Sequence, residues 1–324
     1  MKLGFLGFLA ALLAVFAMID NVEAQPYPSR PIKLVVPYGP GGAGDVIARI
    51  VSEQLAKDLD VSVVVENKPG AGGMIGAQSV ASARPDGYTV LVGNTTEMVV
   101  GPYLMKSASY ETQRDFRPVA LAGYLPQLLV MNPSIKATTL DEFVALAKAH
   151  PGMYSYATAG IGSTAHIAGA LLERLTGIKL LSVPYKGGAQ AVTDVLAGNV
   201  SIYFSGIPPA IGHVKAGKLV ALGIAGTHPV SSLPDVPILA TGALQRLDLT
   251  AWFGFFVPKD TPNDIVELLN RKLRQIIDSP DVQARLIGVG VVPGAMGGAE
   301  FEHFVTAERK KYGDFLSELD IHIE

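Results

Sequence analysis

The sequence has no cysteine, a single tryptophan and few charged residues, and these shortages exclude several classes of protein. Without cysteine there is no disulfide framework, so a packed core must hold the fold. Charged residues make up 17% of the chain, the net charge is -3, and no basic cluster with interleaved aromatic residues occurs. Because nucleic-acid binding depends on a basic surface of that kind, we expect no nucleic-acid partner.

Catalytic and metal-binding motifs are also missing. The chain has no G-x-S-x-G elbow, no H-E-x-x-H pair and no Walker loop, and its histidines show no metal-ligand spacing. Carboxylates such as Glu66, Glu97 and Asp194 could be assembled by a fold, but most charged residues are solvated or cap helices. We therefore expect no enzyme, no metal site and no cofactor.

The first two dozen residues are typical of an export signal. Lys2 precedes an apolar run over residues 3–19, which is short for a membrane span, and Val22-Glu23-Ala24 supplies small residues at the minus-three and minus-one positions of a signal-peptidase site. We expect residues 1–24 to be a cleaved signal peptide and the mature protein to be periplasmic. An uncleaved anchor is the alternative.

The remaining 300 residues suffice for roughly two domains. Short β-branched runs alternate with helical patterns, as in parallel sheets joined by crossover helices, so we expect an α/β fold. Strands are predicted at 32–36, 61–65, 88–92, 128–131, 154–157, 180–183, 200–204 and 219–224. Helices are predicted around Ile47 and Ile50 and at 140–149, 163–175, 189–196 and 262–277. The last helix has Thr261 as its expected N-cap and Asp264 in the capping-box position.

Two apolar stretches, 119–131 and 252–257, each join one αβ block to another. A chain that leaves one block by a strand and returns by another makes two lobes with a cleft between them. We expect one lobe to comprise residues 25–124 and 249–324, and the other to comprise residues 125–248.

Three glycine-rich corners lie between predicted strands and helices. They are Tyr38-Gly39-Pro40-Gly41-Gly42-Ala43-Gly44-Asp45, Thr158-Ala159-Gly160-Ile161-Gly162-Ser163 and Tyr185-Lys186-Gly187-Gly188-Ala189. A glycine-lined turn exposes backbone N–H groups where the helix dipole is positive, so each corner is a candidate anion cradle. Because parallel α/β sheets bind ligands at the carboxyl ends of their strands, the corners should face the cleft. Together they predict a small anionic ligand.

The first corner has two other interpretations. Gly41 can adopt positive φ and Asp45 can cap a helix that begins at Val46, which describes a turn without a ligand. The spacing Gly39-x-Gly41-x-x-Gly44, with Glu66 at the end of the next strand, also matches a dinucleotide fingerprint. A carboxylate beside a pyrophosphate, and export away from cytoplasmic nucleotide pools, count against this second interpretation.

The other two corners add side chains to the backbone donors. Thr158, Ser163 and Thr164 offer hydroxyl groups. His166 can either donate to an anion or be an ordinary helix residue bonded to a loop. Lys186 is expected in solvent, so the backbone amides of residues 187–189 are the better candidates.

Nearly all of the mature sequence resembles a known family. The segments that carry the resemblance are Tyr27-Pro28-Ser29-Arg30-Pro31-Ile32, Val35-Val36-Pro37 through Gly41-Gly42 to Asp45, Val65-Glu66-Asn67-Lys68-Pro69-Gly70-Ala71-Gly72-Gly73, Pro85-Asp86-Gly87-Tyr88-Thr89, Val183-Pro184-Tyr185-Lys186-Gly187-Gly188 and Leu233-Pro234-Asp235-Val236-Pro237. They are similar to those of the Bug proteins, the extracytoplasmic substrate-binding subunits of tripartite tricarboxylate transporters.

The resemblance implies a two-lobed, type II periplasmic-binding-protein fold of the Venus-flytrap kind, which delivers a carboxylate to membrane permease subunits. In that family the first and third corners hold one carboxylate, largely through backbone amides and bridging water. The distal group contacts the turn at 160–163 and the helix that follows it. Members that bind amino acids often carry an aspartate where this chain has Ser205, so the resemblance implies a ligand without an amine.

The sequence therefore predicts a monomeric periplasmic solute-binding protein for an amine-free di- or tricarboxylate, aliphatic or aromatic. A binding protein that presents the same ligand to a membrane receptor is the alternative, ahead of a dinucleotide-binding enzyme. The expected ligand-binding residues are Tyr38, Pro40, Gly41, Gly42, Asp45, Asn94, Thr95, Thr158, Gly160, Gly162, Ser163, His166, Tyr185, Gly187, Gly188, Ala189 and Ser205.

Overall fold

The computed structural model describes residues 27–104, 109–160, 162–226, 229–294 and 296–319. The predicted signal peptide lies outside the described residues. Within the described ranges, no helix combines the length and the apolar character that a membrane crossing requires.

Strands and helices alternate along most of the chain. The strands are β1 (Ile32–Val36), β2 (Val63–Asn67), β3 (Thr89–Asn94), β4 (Phe116–Leu125), β5 (Gln127–Met131), β6 (Ser155–Thr158), β7 (Leu181–Pro184), β8 (Ile202–Gly206), β9 (Val220–Ala225), β10 (Ala251–Pro258) and β11 (Val292–Pro293). The helices are α1 (Ala43–Leu59), α2 (Met74–Ala81), α3 (Gly101–Leu104), α4 (Thr112–Asp115), α5 (Leu140–Ala149), α6 (Thr164–Thr176), α7 (Gly188–Ala197), α8 (Ile207–Lys215), α9 (Asn263–Asp278), α10 (Pro280–Gly288) and α11 (Gly298–Leu319). A π-helical turn covers Thr96–Val100, and short 3₁₀ segments cover Ala71–Gly73 and Gly242–Leu247.

The strands form two sheets, and each sheet with its helices makes one lobe. The six-stranded lobe has the strand order β11-β4-β10-β3-β1-β2, and the five-stranded lobe has the order β7-β6-β8-β5-β9. Strands β1, β2 and β3 pair in parallel, as do β6, β7 and β8, which is the pattern predicted from strand–helix alternation. Strands β5 and β10 are antiparallel to both of their neighbours. Each is reached without a crossover helix, so nothing forces it to run parallel.

The chain passes between the sheets at two places. Strand β4 ends at Leu125, and Pro126 separates it from β5, so the predicted joining stretch 119–131 is two strands in different sheets. Proline has no N–H for a sheet ladder, which explains the break at this point. The return runs from β9 through the 3₁₀ segment Gly242–Leu247 into β10.

An aromatic cluster fixes the C-terminal helix α11 to the return strand β10. The Trp252 ring lies 5.9 Å from Phe301 and 5.6 Å from Phe304, measured between ring centroids, and Phe256 lies 5.3 Å from Phe301. Gly254 makes room for this contact, because a Cβ at that position would come within 2.3 Å of the Phe301 ring. These ring contacts therefore pack α11 directly against β10.

The start of α9 differs from the prediction. The helix begins at Asn263, and its N-cap position is Pro262, which makes no side-chain cap. The Thr261 hydroxyl donates to the carbonyl of Pro258 at 2.7 Å instead of accepting from the helix. The predicted Thr261 cap and its partner Asp264 are therefore wrong, because the hydroxyl is used in the preceding turn.

Two helical glycines provide a matched test of the packing. A Cβ on Gly169 in α6 would come within 2.1 Å of the Tyr156 ring, whereas a Cβ on Gly212 in α8 would meet nothing within 4 Å. We expect Gly169→Ala to lower the free energy of unfolding by about 1–3 kcal/mol through overpacking. Gly212→Ala should leave it unchanged or raise it by up to about 1 kcal/mol, because alanine favours helix. Urea unfolding measures both, and equal stability of the two variants would contradict the packing of α6 on β6.

Candidate functional site

A cavity that is open to solvent lies between the two lobes. The six-stranded lobe lines it with Tyr38, Gly42, Ala43, Gly44, Asn94, Thr96, Leu125, Ala251 and Phe253. The five-stranded lobe lines it with Gln127, Ala159, Ser163, Thr164, Ala165, Gly188, Tyr203, Gly206 and Pro209. Among the described residues, no side chain of the cavity wall carries a charge.

The first glycine corner brings the N-terminus of α1 to the cavity wall. Helix α1 begins at Ala43 after an extended Gly42, and Gly41 has a φ of 76°, which favours glycine. Within the described ranges, the amides of residues 42–44 have no hydrogen-bond acceptor. These N–H groups are therefore available to a ligand.

Asp45 takes a different role from the predicted one. It lies inside the first turn of α1 rather than capping a helix from Val46, and its carboxylate accepts from the Gly41 N–H at 2.9 Å. Arg49 and Asn67 also donate to it. Burial alone would raise the pKa of Asp45, but these hydrogen bonds outweigh it and hold the pKa below its usual value. The ionised side chain therefore stabilises the corner and does not line the cavity.

The third corner places the N-terminus of α7 opposite that of α1. Helix α7 begins at Gly188, and within the described ranges the amides of residues 188–190 have no acceptor. The two corners touch, since the Gly39 N–H donates to the Lys186 carbonyl at 3.3 Å. A Cβ on Gly187 would lie 3.0 Å from the Gly39 nitrogen. Two helix ends, each with about half a positive elementary charge, therefore face each other across the cleft.

The second corner contributes hydroxyl groups more than amides. Ser163 caps α6 by accepting from the His166 N–H at 3.2 Å, and the Thr164 N–H donates to the Thr96 hydroxyl of the other lobe at 3.3 Å. These amides are therefore already used. The side chains of Ser163, Thr164 and Thr96 remain at the cavity wall.

His166 does not line the cavity. Its Nδ1 accepts from the Gly162 N–H at 3.3 Å, and its ring stacks on Tyr156 with 6.4 Å between centroids. Burial lowers the pKa of His166. The geometry therefore favours the interpretation of His166 as an ordinary helix residue bonded to a loop.

The helix start at α8 forms an apolar part of the wall. Pro208 and Pro209 occupy its first turn and have no N–H to offer. Pro209 lines the cavity together with Leu125 and Phe253. The cavity wall therefore combines amide donors with an apolar surface.

The structure brings only part of the predicted set together. Tyr38, Gly42, Asn94, Ser163 and Gly188 line the cavity. Gly160 and Tyr185 line a second interlobe cavity, together with Lys186 and residues 70–73. The predicted residues that line neither cavity are Pro40, Gly41, Asp45, Thr95, Thr158, Gly162, His166, Gly187, Ala189 and Ser205. Among these, the glycines and Ala189 adjoin lining residues along the chain or belong to the corners.

Three hydroxyl residues of that set are bonded within the protein. The Thr95 hydroxyl accepts from the Trp252 N–H at 3.0 Å, and the Thr158 hydroxyl accepts from the Gly160 N–H at 3.2 Å. Ser205 is fully buried and donates to the Gly206 carbonyl at 2.6 Å. Ser205 thus lies directly before the wall residue Gly206 and does not itself line the cavity.

Sequence reasoning missed four polar or aromatic wall residues: Thr96, Gln127, Tyr203 and Phe253. Each lies in or beside a strand whose other residues have the apolar pattern of a buried core. Burial raises the pKa of Tyr203, so its hydroxyl is a neutral donor, and it makes no hydrogen bond to the described part of the chain. A tyrosine between Ile202 and Phe204, in an otherwise apolar run, was the available signal.

Glu66, the expected ribose ligand of the dinucleotide interpretation, lies outside the cavity. It forms ion pairs with Lys33 at 2.6 Å and Lys68 at 3.2 Å. The geometry of the first corner, with Asp45 bonded across it, also leaves the dinucleotide interpretation without support.

Comparisons with known proteins agree with this architecture. Residues 47–321 match the family model described as "Tripartite tricarboxylate transporter family receptor". BugT of Bordetella pertussis is 33% identical over 314 residues, which cover 97% of this chain and 96% of BugT. A protein of Pseudomonas sp. strain P51 is 39% identical over 283 residues, which cover 86% of this chain and 84% of that protein.

Three solved structures are similar over nearly their whole length. The periplasmic binding protein BugD is 29% identical with a TM-score of 0.87, covering 92% of this chain and 100% of BugD. An R. palustris protein with adipate is 27% identical with a TM-score of 0.88, covering 91% and 99%. MatC from Rhodopseudomonas palustris, with bound malate, is 31% identical with a TM-score of 0.84, covering 89% and 99%. The predicted two-lobed α/β periplasmic-binding-protein fold and the resemblance to Bug proteins are confirmed.

The ionised Asp45 generates a prediction on pH. Its folded-state pKa is depressed, so its stabilising contribution is present above the unfolded-state pKa near ~4 and is lost as the pH falls through the lower folded-state value. We expect Asp45→Asn to lower the free energy of unfolding by about 1–3 kcal/mol at pH 7, with the difference shrinking towards pH 3. The exposed Asp260→Asn is the matched control. Urea unfolding at both pH values measures this, and a difference that persists undiminished at pH 3 would contradict the role of the charge.

Proposed function

The chain belongs to the receptor family of the tripartite tricarboxylate transporters, and from this membership we propose that it captures a small, amine-free di- or tricarboxylate between its lobes. Its family and structural neighbours are substrate-binding proteins. The chain is therefore a solute-binding protein and not an enzyme, and it releases its ligand unchanged.

The facing N-termini of α1 and α7 carry this proposal. The amides at residues 42–44 and 188–190, which have no acceptor in the described chain, come from opposite lobes. No lysine or arginine of the described residues lines the cavity to serve in their place. A carboxylate between the two helix ends would accept hydrogen bonds from both and would relieve the repulsion between their dipoles. The same contact would hold the lobes closed.

The absence of acidic side chains from the described cavity wall supports an amine-free ligand. Asp45 is bonded to Arg49 inside the corner, and Glu97 is fully buried behind the wall. A buried ammonium group without a carboxylate partner costs several kcal/mol in desolvation. Ser205 does not line the cavity, so the proposal of an amine-free ligand rests on the described wall residues and not on Ser205.

A second polar end of the ligand has neutral partners available. Ser163, Thr164, Gln127 and Tyr203 supply hydroxyl and amide groups on the five-stranded side of the cavity. Similar structures hold adipate and malate, both dicarboxylates. We propose a ligand of this class for the present chain.

Location and partners follow from the family. We propose that residues 1–24 direct export and are removed, and that the mature monomer delivers its ligand to membrane permease subunits in the periplasm. The lobes are proposed to divide into residues 25–124 with 249–324, and residues 125–248.

Ligand class is tested by isothermal titration calorimetry with succinate, malate, adipate and citrate against aspartate and glutamate. We expect at least one of the first four to bind, and the α-amino acids to bind at least tenfold more weakly, a difference of about 1.4 kcal/mol. Tighter binding of aspartate than of succinate and malate would contradict the amine-free assignment.

The contact between corners is tested by Gly41→Val. Its Cβ would lie 3.3 Å from that of Ala189 across the cleft, and its branched side chain is strained at positive φ. We expect at least a hundredfold loss of dicarboxylate affinity in a folded protein. Gly217→Val has a similar φ of 67° with nothing within 4 Å of its Cβ, so it controls for the strain alone. Equal affinity of the two variants by calorimetry would refute the role of the corners.

A further inference from the structure

Glu97 is a fully buried acid directly behind the cavity wall, and the proposed function makes no use of it. It lies in the π-helical turn Thr96–Val100. Its Oε1 accepts from the Asn94 N–H, and its Oε2 contacts the Tyr38 hydroxyl at 2.9 Å. Asn94 and Tyr38 both line the cavity. Glu97 therefore supports two wall residues at once.

The hydrogen-bond contacts of Tyr38 indicate whether Glu97 is protonated. The Tyr38 Oη lies 2.9 Å from Glu97 Oε2 and 3.0 Å from the carbonyl oxygen of Gly72. A carbonyl can only accept, and the hydroxyl has one proton. Two full hydrogen bonds, in place of one proton shared between two oxygens, require that Tyr38 donates to Gly72 and that Glu97 donates to Tyr38. Oε1, which accepts from an amide, is then the carbonyl oxygen of a neutral carboxylic acid.

No nearby cation offsets a negative charge at this position. Among the described residues, Tyr38 and Tyr110 interact electrostatically with Glu97. Helix α11 packs against the π-helical turn and carries Glu308, Arg309 and Lys311 among its charged residues. Arg309 is paired with Glu111, and Glu308 accepts from Trp252 and Lys311. The Tyr110 hydroxyl donates to the Glu97 backbone carbonyl and not to its carboxyl group. In the described part of the chain, Glu97 thus has no ionic partner.

We propose that Glu97 remains the neutral acid when a carboxylate occupies the cavity, that it positions Tyr38 and Asn94, and that it makes carboxylate affinity depend on pH. This inference rests on the proposed carboxylate-binding function. A carboxylate ligand and an ionised Glu97 would be two like charges separated by the wall residues, in a site without a cationic side chain. Protonation of Glu97 removes that repulsion.

The direction of the pH effect follows from linkage. Burial raises the pKa of Glu97 to about 8, and an anion in the cavity raises it further, so binding above pH 8 is accompanied by proton uptake. Affinity should be constant with respect to Glu97 below pH 7 and fall by up to about tenfold per pH unit above 8. Among the other described groups near the cavity, His166 has a lowered pKa, and burial raises those of Tyr38 and Tyr203 further above their usual values. A change of carboxylate affinity between pH 7 and 9 therefore reports on the titration of Glu97.

The test is malate affinity by calorimetry at pH 6, 7, 8 and 9, in wild type and Glu97→Gln. Wild type should bind equally at pH 6 and 7 and about tenfold more weakly at pH 9. Glutamine keeps a donor to Tyr38 and an acceptor for the Asn94 amide without a titrating proton, so the variant should bind at all four pH values with a flat profile. A flat wild-type profile, or the same decline in both proteins, overturns the proposal.

A measurement on the ligand-free wild type separates this inference from the proposed function and does not depend on the folding of a variant. Infrared spectroscopy should show the carbonyl stretch of a protonated carboxylic acid at pH 7, with the band lost between pH 7 and 10. Its absence at pH 7 overturns the inference, whether or not malate binds. A band that is present while no carboxylate binds at any pH refutes the proposed function, and with it the linkage between Glu97 and ligand.

Discussion

Two helix N-termini that face each other across a cleft are the constraint on which the rest of this structure depends. The ends of α1 and α7 carry like partial charges and unpaired amides, and they come from different lobes. Glycine at position 187 permits their approach, because a Cβ there would lie 3.0 Å from the Gly39 nitrogen. The glycine corners, the contact between the lobes at these corners and the proposed preference for an anion thus have one physical origin.

The charged side chains near the cleft do not offset the positive partial charges at the N-termini of α1 and α7. Asp45 is ionised, but Arg49 and Asn67 hold it inside the first corner. Glu97 is buried without an ionic partner in the described chain and fits its surroundings as a neutral acid. The cavity wall itself carries only neutral groups. In the proposed function, the backbone amides recognise the anion, while neutral side chains and the apolar surface around Phe253 and Pro209 select the length and shape of the ligand.

Local signals predicted the framework better than they predicted the cavity wall. The bounds of β1 and α5 agree with the sequence prediction, and most other predicted strands are displaced by one or two residues. The corners were predictable because clusters of glycine between a strand and a helix are visible in the sequence itself. Tyr203 and Glu97 were not, because their roles come from burial and from neighbours distant in the chain. His166 and Ser205 lie close to the cavity but make their hydrogen bonds within the protein.

A crystal structure of the protein with a bound dicarboxylate tests the central claim most directly. The account predicts one carboxylate group between the two lobes, with its oxygens within hydrogen-bond distance of first-turn amides of both α1 and α7 and with no direct contact to a charged side chain. A carboxylate held by Lys186 in the second interlobe cavity, or bonded to only one of the two helix ends, would contradict it.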